Sequence, residues 1–435
     1  MPSNSSAFSD SARPDSPPSL WRNSSFRSLW AGQTASQLGE QSGFIILPLI
    51  AVLTLDVDPG QLGALRAVEQ APQLLLTLFA GVWVDRWQTR TVMALSDLGR
   101  ALIFSAVAAC ALAGLLRLPM LLACALTVGV LSVLFNTAYQ VSLVRLLKRD
   151  QLLHGNSAIE ASRSASQMTG PALGGALAAL LSAPLAIVSS ALFFSASFLA
   201  IAHIRHRETI PQHPNGPRKM RQNMREGIRF VTGNKILRTV SLASAAFQLS
   251  LAATTTAYLL FLPRELHLSA AVIGLALAAA GPGALLGALL AARLPSRLGY
   301  GPVLIAAAVV GNGIMLFLSA LRGNSLTTIC ALIAINFTFG ACGQLINVSI
   351  IAVRQAVTPG FLQGRVAATI SFAGMGMSPL GALIGGLLAD HHGLRAALLI
   401  SASGLLMSPI LMILSPLRRL GRIVPRPDPT YEQAH

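Results

Sequence analysis

Residues 166–175 read Ser166-Gln-Met-Thr-Gly170-Pro171-Ala-Leu-Gly174-Gly175 and lie in the middle of a long apolar stretch that predicts a helix. A proline inside a helix removes a backbone donor and crowds the preceding turn, so such a helix can bend. The flanking glycines allow a neighbouring backbone to approach closely, which is typical of helices that pack inside a membrane. From these residues alone, ordinary small-residue packing between membrane helices explains the stretch equally well.

The composition of the whole chain also indicates a membrane protein. Of the 435 residues, 53% are apolar and 11% are charged, which leaves too little polar surface for a soluble globule of this size. A membrane span needs about 20 mostly apolar residues. The polar breaks allow twelve such spans, at 29–54, 61–84, 91–115, 119–147, 152–181, 184–204, 236–262, 270–292, 302–321, 326–354, 362–389 and 393–416. We therefore expect an all-α polytopic membrane protein with twelve transmembrane helices.

The net charge of +16 is explained by the placement of the basic residues. If the N-terminus is cytoplasmic, most basic residues fall in cytoplasmic segments, and the outer loops contain only Arg117, Arg264, Arg322 and Arg395. This asymmetry follows the positive-inside rule and places both termini in the cytoplasm. We therefore expect no nucleic-acid partner, whereas contact with anionic lipid of the bilayer stays open.

A basic segment divides the chain into two similar halves. Residues 205–235 contain three prolines and many basic residues, and six predicted spans lie on either side. A stretch similar to that around Pro171 occurs in the second half, Ser378-Pro379-Leu-Gly381-Ala-Leu-Ile-Gly385-Gly386. A shift of six spans preserves orientation, so the repeat is parallel. The predicted regions are a disordered cytoplasmic tail (1–27), an N-terminal six-helix half (28–204), a cytoplasmic basic linker (205–235), a C-terminal six-helix half (236–417) and a cytoplasmic tail (418–435).

A second short stretch lies between the second and third predicted spans, Gly81-Val-Trp-Val-Asp85-Arg86-Trp-Gln88-Thr-Arg90. The two stretches resemble signatures of the major facilitator superfamily, G-x-x-x-G-P-x-x-G-G for its antiporters and G-x-x-x-D-R-x-G-R-R/K for its inner gate. Ser166, Gln88 and Thr89 depart from those patterns. The resemblance implies that Gly81, Asp85, Arg86 and Arg90 form an inner gate, with Arg145 as a further basic partner. Charges that only fix topology are the alternative explanation.

The resemblance is closest to one branch of the superfamily. Residues 26–41 (FRSLWAGQTASQLGEQ), 96–102 (SDLGRAL) and 155–175 (GNSAIEASRSASQMTGPALGG) are similar to the branch that contains the enterobactin exporter and macrolide or multidrug efflux proteins. It implies a monomeric, proton-coupled exporter of a bulky small molecule in a bacterial-type inner membrane, working by alternating access. That branch handles siderophores, antibiotics and lysophospholipids, so the substrate stays open.

Charges inside membrane spans are costly and functional by default. Seven lie deep within the predicted spans of the first half, namely Glu40, Arg66, Glu69, Asp97, Arg100, Glu160 and Arg163, and the second half has none at comparable depth. Six of them form acid–base pairs three residues apart on one helix, where opposite charges can neutralise each other. Glu40 has no such partner and lies about 16 Å into the first span, near the midplane. Because an isolated carboxyl in low dielectric has its charged form disfavoured, we predict that Glu40 carries the proton, with Asp97 and Glu160 as competing carriers.

Neutral polar residues follow helical spacing on three predicted spans. Groups of this kind line a cavity where water or substrate can satisfy them, although bonding from helix to helix would explain any single stripe. The predicted cavity residues are Gln33, Gln37, Gln41, Asn136, Tyr139, Gln140, Asn336, Gln344 and Asn347.

The sequence lacks the signatures of the main alternative functions. No HExxH, GxSxG or nucleotide-binding motif occurs, and the four cysteines have no ligand spacing. We therefore predict no catalytic site, no metal site and no cofactor. A solute-binding membrane sensor and a lysophospholipid-type transporter of the same fold remain as alternatives.

Overall fold

The computed structural model describes residues 20–85, 87–147, 151–181, 183–204, 217–359 and 362–422. All regular structure in these ranges is helical, with no strand among them. The predicted tails at 1–27 and 418–435 and the predicted linker at 205–235 lie partly outside the described residues.

The first half contains six long helices: α1 (Ser24–Thr54), α2 (Pro59–Asp85), α3 (Thr89–Leu112), α4 (Leu118–Leu146), α5 (Leu152–Leu181) and α6 (Ala183–Ala202). A helix in the linker, α7 (Pro217–Gly233), precedes the second half. That half contains α8 (Lys235–Arg264), α9 (Ala270–Ala278), α10 (Ala280–Ala291), α11 (Leu294–Leu298), α12 (Tyr300–Ile314), α13 (Leu326–Val357), α14 (Gln363–Met375), α15 (Ser378–His392), α16 (Leu394–Leu405) and α17 (Met407–Ile413).

These helices form the expected set of membrane spans. Ten segments of the described chain are long and apolar enough to cross a membrane, and several of them join two consecutive helices, such as α9 with α10. The other two predicted spans, α2 and α5, have similar length and contain Arg66, Glu69, Glu160 and Arg163. The all-α polytopic fold with twelve membrane helices in two six-helix halves is therefore confirmed.

Proline explains why three spans of the second half are interrupted. Helices α9, α14 and α16 end at Ala278, Met375 and Leu405, each four residues before a proline (Pro282, Pro379 and Pro409). A proline ring clashes with the carbonyl four residues earlier and removes the bond that this carbonyl would accept. The counterpart of Pro379 in the first half is position 171. It lies within α5, which is unbroken, whereas Pro379 follows the break between α14 and α15.

Small residues bring the two halves together on one side of the molecule. Helix α5 packs on α9, and α15 packs on α2. A Cβ atom built on Gly274 would lie 2.6 Å from Cα of Gly175, and one built on Gly63 would lie 2.9 Å from Cα of Gly386. Only glycine permits approaches this close. Gly175 and Gly386 are the final glycines of the two repeated stretches, so the repeat builds two equivalent crossings.

These crossings lie near the loops that join α1 to α2 and α8 to α9. We call this side of the molecule the distal side, and we call the opposite side, which carries α7, the linker side. In the distal loops, Nη2 of Arg264 lies 2.7 Å from Oδ1 of Asp56 and donates to the carbonyl of Val57 at 2.9 Å. A cluster of Ala67, Ala252 and Ala382 fills the adjoining interface between the halves.

Removing Arg264 is expected to loosen the distal closure. Arg264→Ala loses the ion pair and the bond to Val57, whereas Asp56→Asn weakens only an exposed pair worth about 0–1 kcal/mol. A cysteine introduced at position 67 (Ala67→Cys) reports the closure through its labelling by a membrane-impermeant thiol reagent. We expect labelling to be about three-fold faster or more when Arg264→Ala is added, which corresponds to about 0.7 kcal/mol at 1.4 kcal/mol per ten-fold change. The native cysteines would be replaced first. Equal labelling in the parent protein and both variants would show that these bonds do not hold the closure.

Candidate functional site

A cavity of about 310 Å³ lies between the two halves, and we call it the central cavity. Its walls come from α1, α2, α3, α4 and α6 of the first half and from α8, α14 and α15 of the second. The polar members are Glu40, Gln41, Glu69, Gln70, Gln73, Ser132, Gln248 and Ser378. A neighbouring cavity of about 450 Å³ in the second half shares Gln248 and Met375 with it and includes Asn347 and Arg354.

Arg100 is the most enclosed charge beside the central cavity. Its side chain is fully buried, forms an ion pair with Asp97 and donates to Oγ of Ser36 at 3.0 Å and Oγ of Ser132 at 3.2 Å. Asp97 is also fully buried and accepts bonds from Ser197 and Ser36. A buried charge of this kind is tolerated only when it is paired and hydrogen-bonded.

Aromatic rings enclose the same guanidinium. Its carbon lies 4.6 Å from the centre of the Phe135 ring and 4.4 Å from that of Phe194. A flat, forked guanidinium can stack on rings while it binds several oxygens, which a lysine ammonium cannot do. The site therefore requires arginine at position 100.

The structure corrects one expectation for Glu40. The sequence gives Glu40 no basic partner on its own helix, but Nη1 of Arg100 lies 4.0 Å from its Oε2 atom. The pairing runs between α1 and α3, so spacing along one helix does not reveal it. Glu40 faces the central cavity, its side chain is 32% exposed, and its buried Oε2 atom has no hydrogen-bond donor among the described residues.

The structure also corrects the expected pair of Arg66 and Glu69. Pro48 lies inside α1 and has no N–H to bond the carbonyl of Phe44. Nη1 of Arg66 donates to that carbonyl at 3.3 Å, and the guanidinium carbon lies 3.9 Å from the centre of the Phe44 ring. Within the described contacts, Arg66 makes no ion pair with Glu69, and the buried Oε2 atom of Glu69 has no hydrogen-bond donor.

The third predicted pair lies at the surface of the protein. Glu160 and Arg163 approach to 3.8 Å, but their side chains are 65% and 43% exposed. Neither residue belongs to the wall of the central cavity. This position distinguishes Glu160 from the other two predicted proton carriers, Glu40 and Asp97.

The stretch at 166–175 packs along α1 and then on the other half. Ser166 is buried, and its hydroxyl has no partner within the part of the chain that is described. The carbonyl of Gly170 accepts a bond from Ser42 at 3.3 Å, and a Cβ atom built on Gly174 would lie 3.1 Å from the carbonyl oxygen of Ser42. Gly175 then meets Gly274 of α9. The side chain of Pro171 lies outside the described residues.

The predicted inner gate is described only in part. Gly81 and Asp85 belong to the last turns of α2, but their side chains and all of Arg86 lie outside the described residues. Nη2 of Arg90 donates to the carbonyl of Ala202 at 2.5 Å, which ties α3 to the end of α6. Arg145 is half-buried near the end of α4.

Of the predicted cavity residues on the three polar helix faces, some line a cavity and others bond to a neighbouring helix. Gln41 lines the central cavity and Asn347 lines its neighbour. Asn336 does not: it is buried and donates to Oη of Tyr258 and to the carbonyl of Leu332, both at 2.9 Å. The remaining predicted residues lie outside both cavity walls; of these, Gln33 and Gln37 are buried, Asn136, Tyr139 and Gln344 are half-buried, and Gln140 is exposed.

Several wall residues of the central cavity were absent from the sequence prediction. They include Phe44, Gln70, Gln73, Gln248, Met375 and Ser378. Gln70 and Gln73 follow Glu69 on α2, so the charged position could have drawn attention to them. Gln248 is a lone amide in α8 and belongs to no stripe, and Phe44 looks like any other apolar residue of a membrane helix.

Replacing Arg100 is expected to destabilise the first half. Arg100→Gln leaves Asp97 as a buried unpaired charge, which costs about 3–5 kcal/mol. We expect a lower melting temperature in detergent and a weaker monodisperse peak in size-exclusion chromatography. Arg100→Lys keeps a positive charge for Asp97 and should restore part of the stability, but lysine cannot reproduce the forked bonds to Ser36 and Ser132. The double variant Asp97→Asn/Arg100→Gln, without the orphaned charge, should melt at a higher temperature than Arg100→Gln. The same melting temperature in all variants would contradict this description of the cluster.

Comparison with known proteins places this arrangement among transporters. A family model described as transmembrane secretion effector matches residues 16–431. The multidrug efflux pump Tap of Mycobacterium tuberculosis is 27% identical over 420 residues, which cover 90% of this chain and 93% of the relative. The uncharacterized MFS-type transporter YfiS of Bacillus subtilis is 27% identical over 407 residues, covering 91% and 94%.

Solved structures share the fold at low sequence identity. A bacterial homologue of the iron transporter ferroportin in its inward-facing state superposes with a TM-score of 0.72, at 16% identity, covering 91% of this chain and 99% of that one. The outward-facing structure of a bacterial ferroportin homologue superposes with a TM-score of 0.59, also at 16% identity, covering 89% and 98%.

Proposed function

The chain belongs to the transmembrane secretion effector family of the major facilitator superfamily, and from this premise we propose that it is a proton-coupled exporter of a bulky small molecule. One observation carries the proposal. A cavity between two similar halves holds Glu40 on its wall with the buried pair of Asp97 and Arg100 behind it. Buried charge beside a central cavity is the arrangement that couples ion and solute movement in secondary transporters.

Export by alternating access is supported by the closure on one side. The glycine crossings and the Arg264 bonds join the halves on the distal side. The better superposition on an inward-facing structure is in keeping with an opening on the linker side. The excess of basic residues on the linker side supports a cytoplasmic linker side, with both termini, both tails and the linker inside. In this orientation an opening on the linker side would admit solute from the cytoplasm.

Proton coupling is assigned to Glu40. Asp97 is paired with Arg100 and accepts bonds from two hydroxyl groups, so its charge is better compensated than that of Glu40. Glu40 makes a longer ion pair with Arg100, at 4.0 Å, and faces the cavity, where it is open to protons and solute. Protonation of Glu40 would remove its ion pair with Arg100. The bound solute and the proton would then exclude each other. Glu160, paired at the surface, is the weaker candidate.

The solute is a drug, a macrolide or a siderophore in this proposal. Relatives named multidrug efflux pump support a drug, and the two neighbouring cavities offer room for a bulky molecule. A lysophospholipid-type transporter would have the same fold. The transporter needs no cofactor, and we expect it to work as a monomer in a bacterial inner membrane.

Solute counterflow in proteoliposomes tests the proposal. Vesicles loaded with an unlabelled macrolide, tetracycline or catecholate siderophore should take up the labelled compound transiently, because a carrier exchanges solute across the membrane. A solute-binding sensor would bind the label without exchange. Binding without counterflow for every compound in the panel would replace the exporter with that alternative.

A further inference from the structure

The central cavity has one carboxylate that makes no ion pair in the described chain. Three acids lie on or behind its first-half wall, Glu40, Glu69 and Asp97, and the basic side chains between them are Arg66 and Arg100. Arg100 is shared by Asp97 and Glu40. Arg66 is directed to Phe44. If these five groups are ionised, their charges sum to −1, and Glu69 is the acid among them that makes no ion pair in the described chain.

Glu69 lies where a bound ligand can supply the missing positive charge. Glu69 lines the central cavity, and its Oε2 atom is buried without a hydrogen-bond donor within the described chain. Gln70, the adjacent wall residue, directs its amide to the carbonyl of Arg66 at 3.2 Å and away from Glu69. A carboxylate oxygen that is buried without a hydrogen-bond donor is costly, so a cation supplied by the ligand would be stabilised beside Glu69.

The remaining wall favours an organic cation over a metal ion. Phe44, Phe104 and Phe194 contribute aromatic surface to the same cavity. Aromatic faces attract organic cations, and apolar walls with a few polar groups are typical of small-molecule sites. No group of three metal-ligating side chains occurs in the described ranges. One carboxylate with aromatic neighbours matches one ammonium or phosphonium centre that carries apolar groups.

We propose that Glu69 is the residue that binds the charge of the solute, and that the solute is an amphiphilic organic cation with one positive centre. The inference rests on the proposed export function and narrows its substrate class. Glu40, which shares Arg100, is left to carry the proton. Arg66 is a positioning residue, because its bond to the carbonyl exposed by Pro48 keeps it away from Glu69.

The charge preference of the unmodified protein is the first arm of the test. Tetraphenylphosphonium and tetraphenylborate have nearly the same shape and opposite fixed charge, so neither gains or loses a proton. Purified protein should bind labelled tetraphenylphosphonium, and tetraphenylborate should compete at least about ten-fold more weakly, a difference of 1.4 kcal/mol. Neutral triphenylphosphine oxide should also compete weakly. Preference for the anion or the neutral compound, or no binding of the cation, would overturn the inference without variants.

Substitution of Glu69 is the second arm. Glu69→Gln should weaken tetraphenylphosphonium binding at least about ten-fold, whereas Glu69→Asp keeps the charge and should recover most of the affinity. Glu226→Gln on α7 removes a carboxylate far from the cavity wall and should bind like the parent protein. Tetraphenylphosphonium binding that is unchanged in a monodisperse Glu69→Gln protein would overturn the role of Glu69.

The two proposals can fail separately. Counterflow of a neutral or anionic solute, with no binding of the phosphonium, would retain the exporter and remove the cation inference. Binding of the phosphonium without any counterflow would support the cation site and remove the exporter. Both arms use the full chain, so the outcome does not depend on a fragment that must fold alone.

Discussion

Glu40→Gln is expected to abolish proton-driven accumulation of solute while it leaves exchange down a gradient intact. Glutamine resembles the protonated carboxyl and cannot release a proton, so the variant remains in one half of the coupling cycle. Uphill transport in proteoliposomes should fall at least about ten-fold, which corresponds to 1.4 kcal/mol of lost coupling. Counterflow of the same solute should stay near that of the parent protein, because the cavity keeps its shape.

Asp97→Asn is the matched comparison for this prediction. Asp97 is held by Arg100 and two serines, so its loss should mainly lower stability and expression. Full uphill transport in Glu40→Gln together with specific loss in Asp97→Asn would move the coupling site to α3. Glu40 would then be a solute contact or a residue of helix packing.

Gly174→Leu is expected to block transport while the protein still inserts in the membrane. A Cβ atom at position 174 would already lie 3.1 Å from the carbonyl oxygen of Ser42, and leucine adds three further carbons. The larger side chain would force α5 away from α1 and disturb the adjacent crossing of Gly175 with Gly274, so the distal side would not close. Counterflow should fall to the level of empty vesicles, with normal expression and a monodisperse peak.

Gly313→Leu provides a control of the same chemistry. Gly313 also lies in a membrane helix, α12, but a Cβ atom built there meets nothing within 4 Å. This variant should therefore transport like the parent protein. Normal counterflow by a well-expressed Gly174→Leu protein would show that α5 and α1 do not need their close approach.

The fold could be predicted because its causes are local. Apolar runs define the spans, the placement of the basic residues indicates their orientation, and the repeated Gly-Pro stretch indicates two equivalent halves. Three helix breaks were missed. Each helix ends four residues before Pro282, Pro379 or Pro409, but Pro48 lies inside the unbroken helix α1, so proline alone does not show which helix breaks. Only the structure shows which residues meet at each crossing. No pattern in residues 166–175 indicates that Gly175 contacts Gly274.

The candidate site could be predicted less well because its contacts run between helices. The three-residue spacing on α2 predicted a pair of Arg66 with Glu69. Pro48 leaves the carbonyl of Phe44 on α1 without its helical donor, and Arg66 donates to that carbonyl. Spacing left Glu40 alone, but Arg100 approaches it from α3. Likewise Asn336 has the spacing of a cavity residue and bonds to Tyr258 of α8. Each difference depends on which side chain the neighbouring helix presents, and a single sequence does not contain that information.

The most direct test of proton-coupled export uses an imposed pH gradient. Proteoliposomes are selected for molecules with the linker side facing outward, and the lumen is made more acidic than the bath. The expected result is accumulation of the counterflow solute in the lumen above its bath concentration, abolished by nigericin, because protons leaving the lumen drive solute inward. Equal solute levels inside and outside at every pH gradient, with counterflow intact, would contradict proton coupling and leave a facilitated carrier.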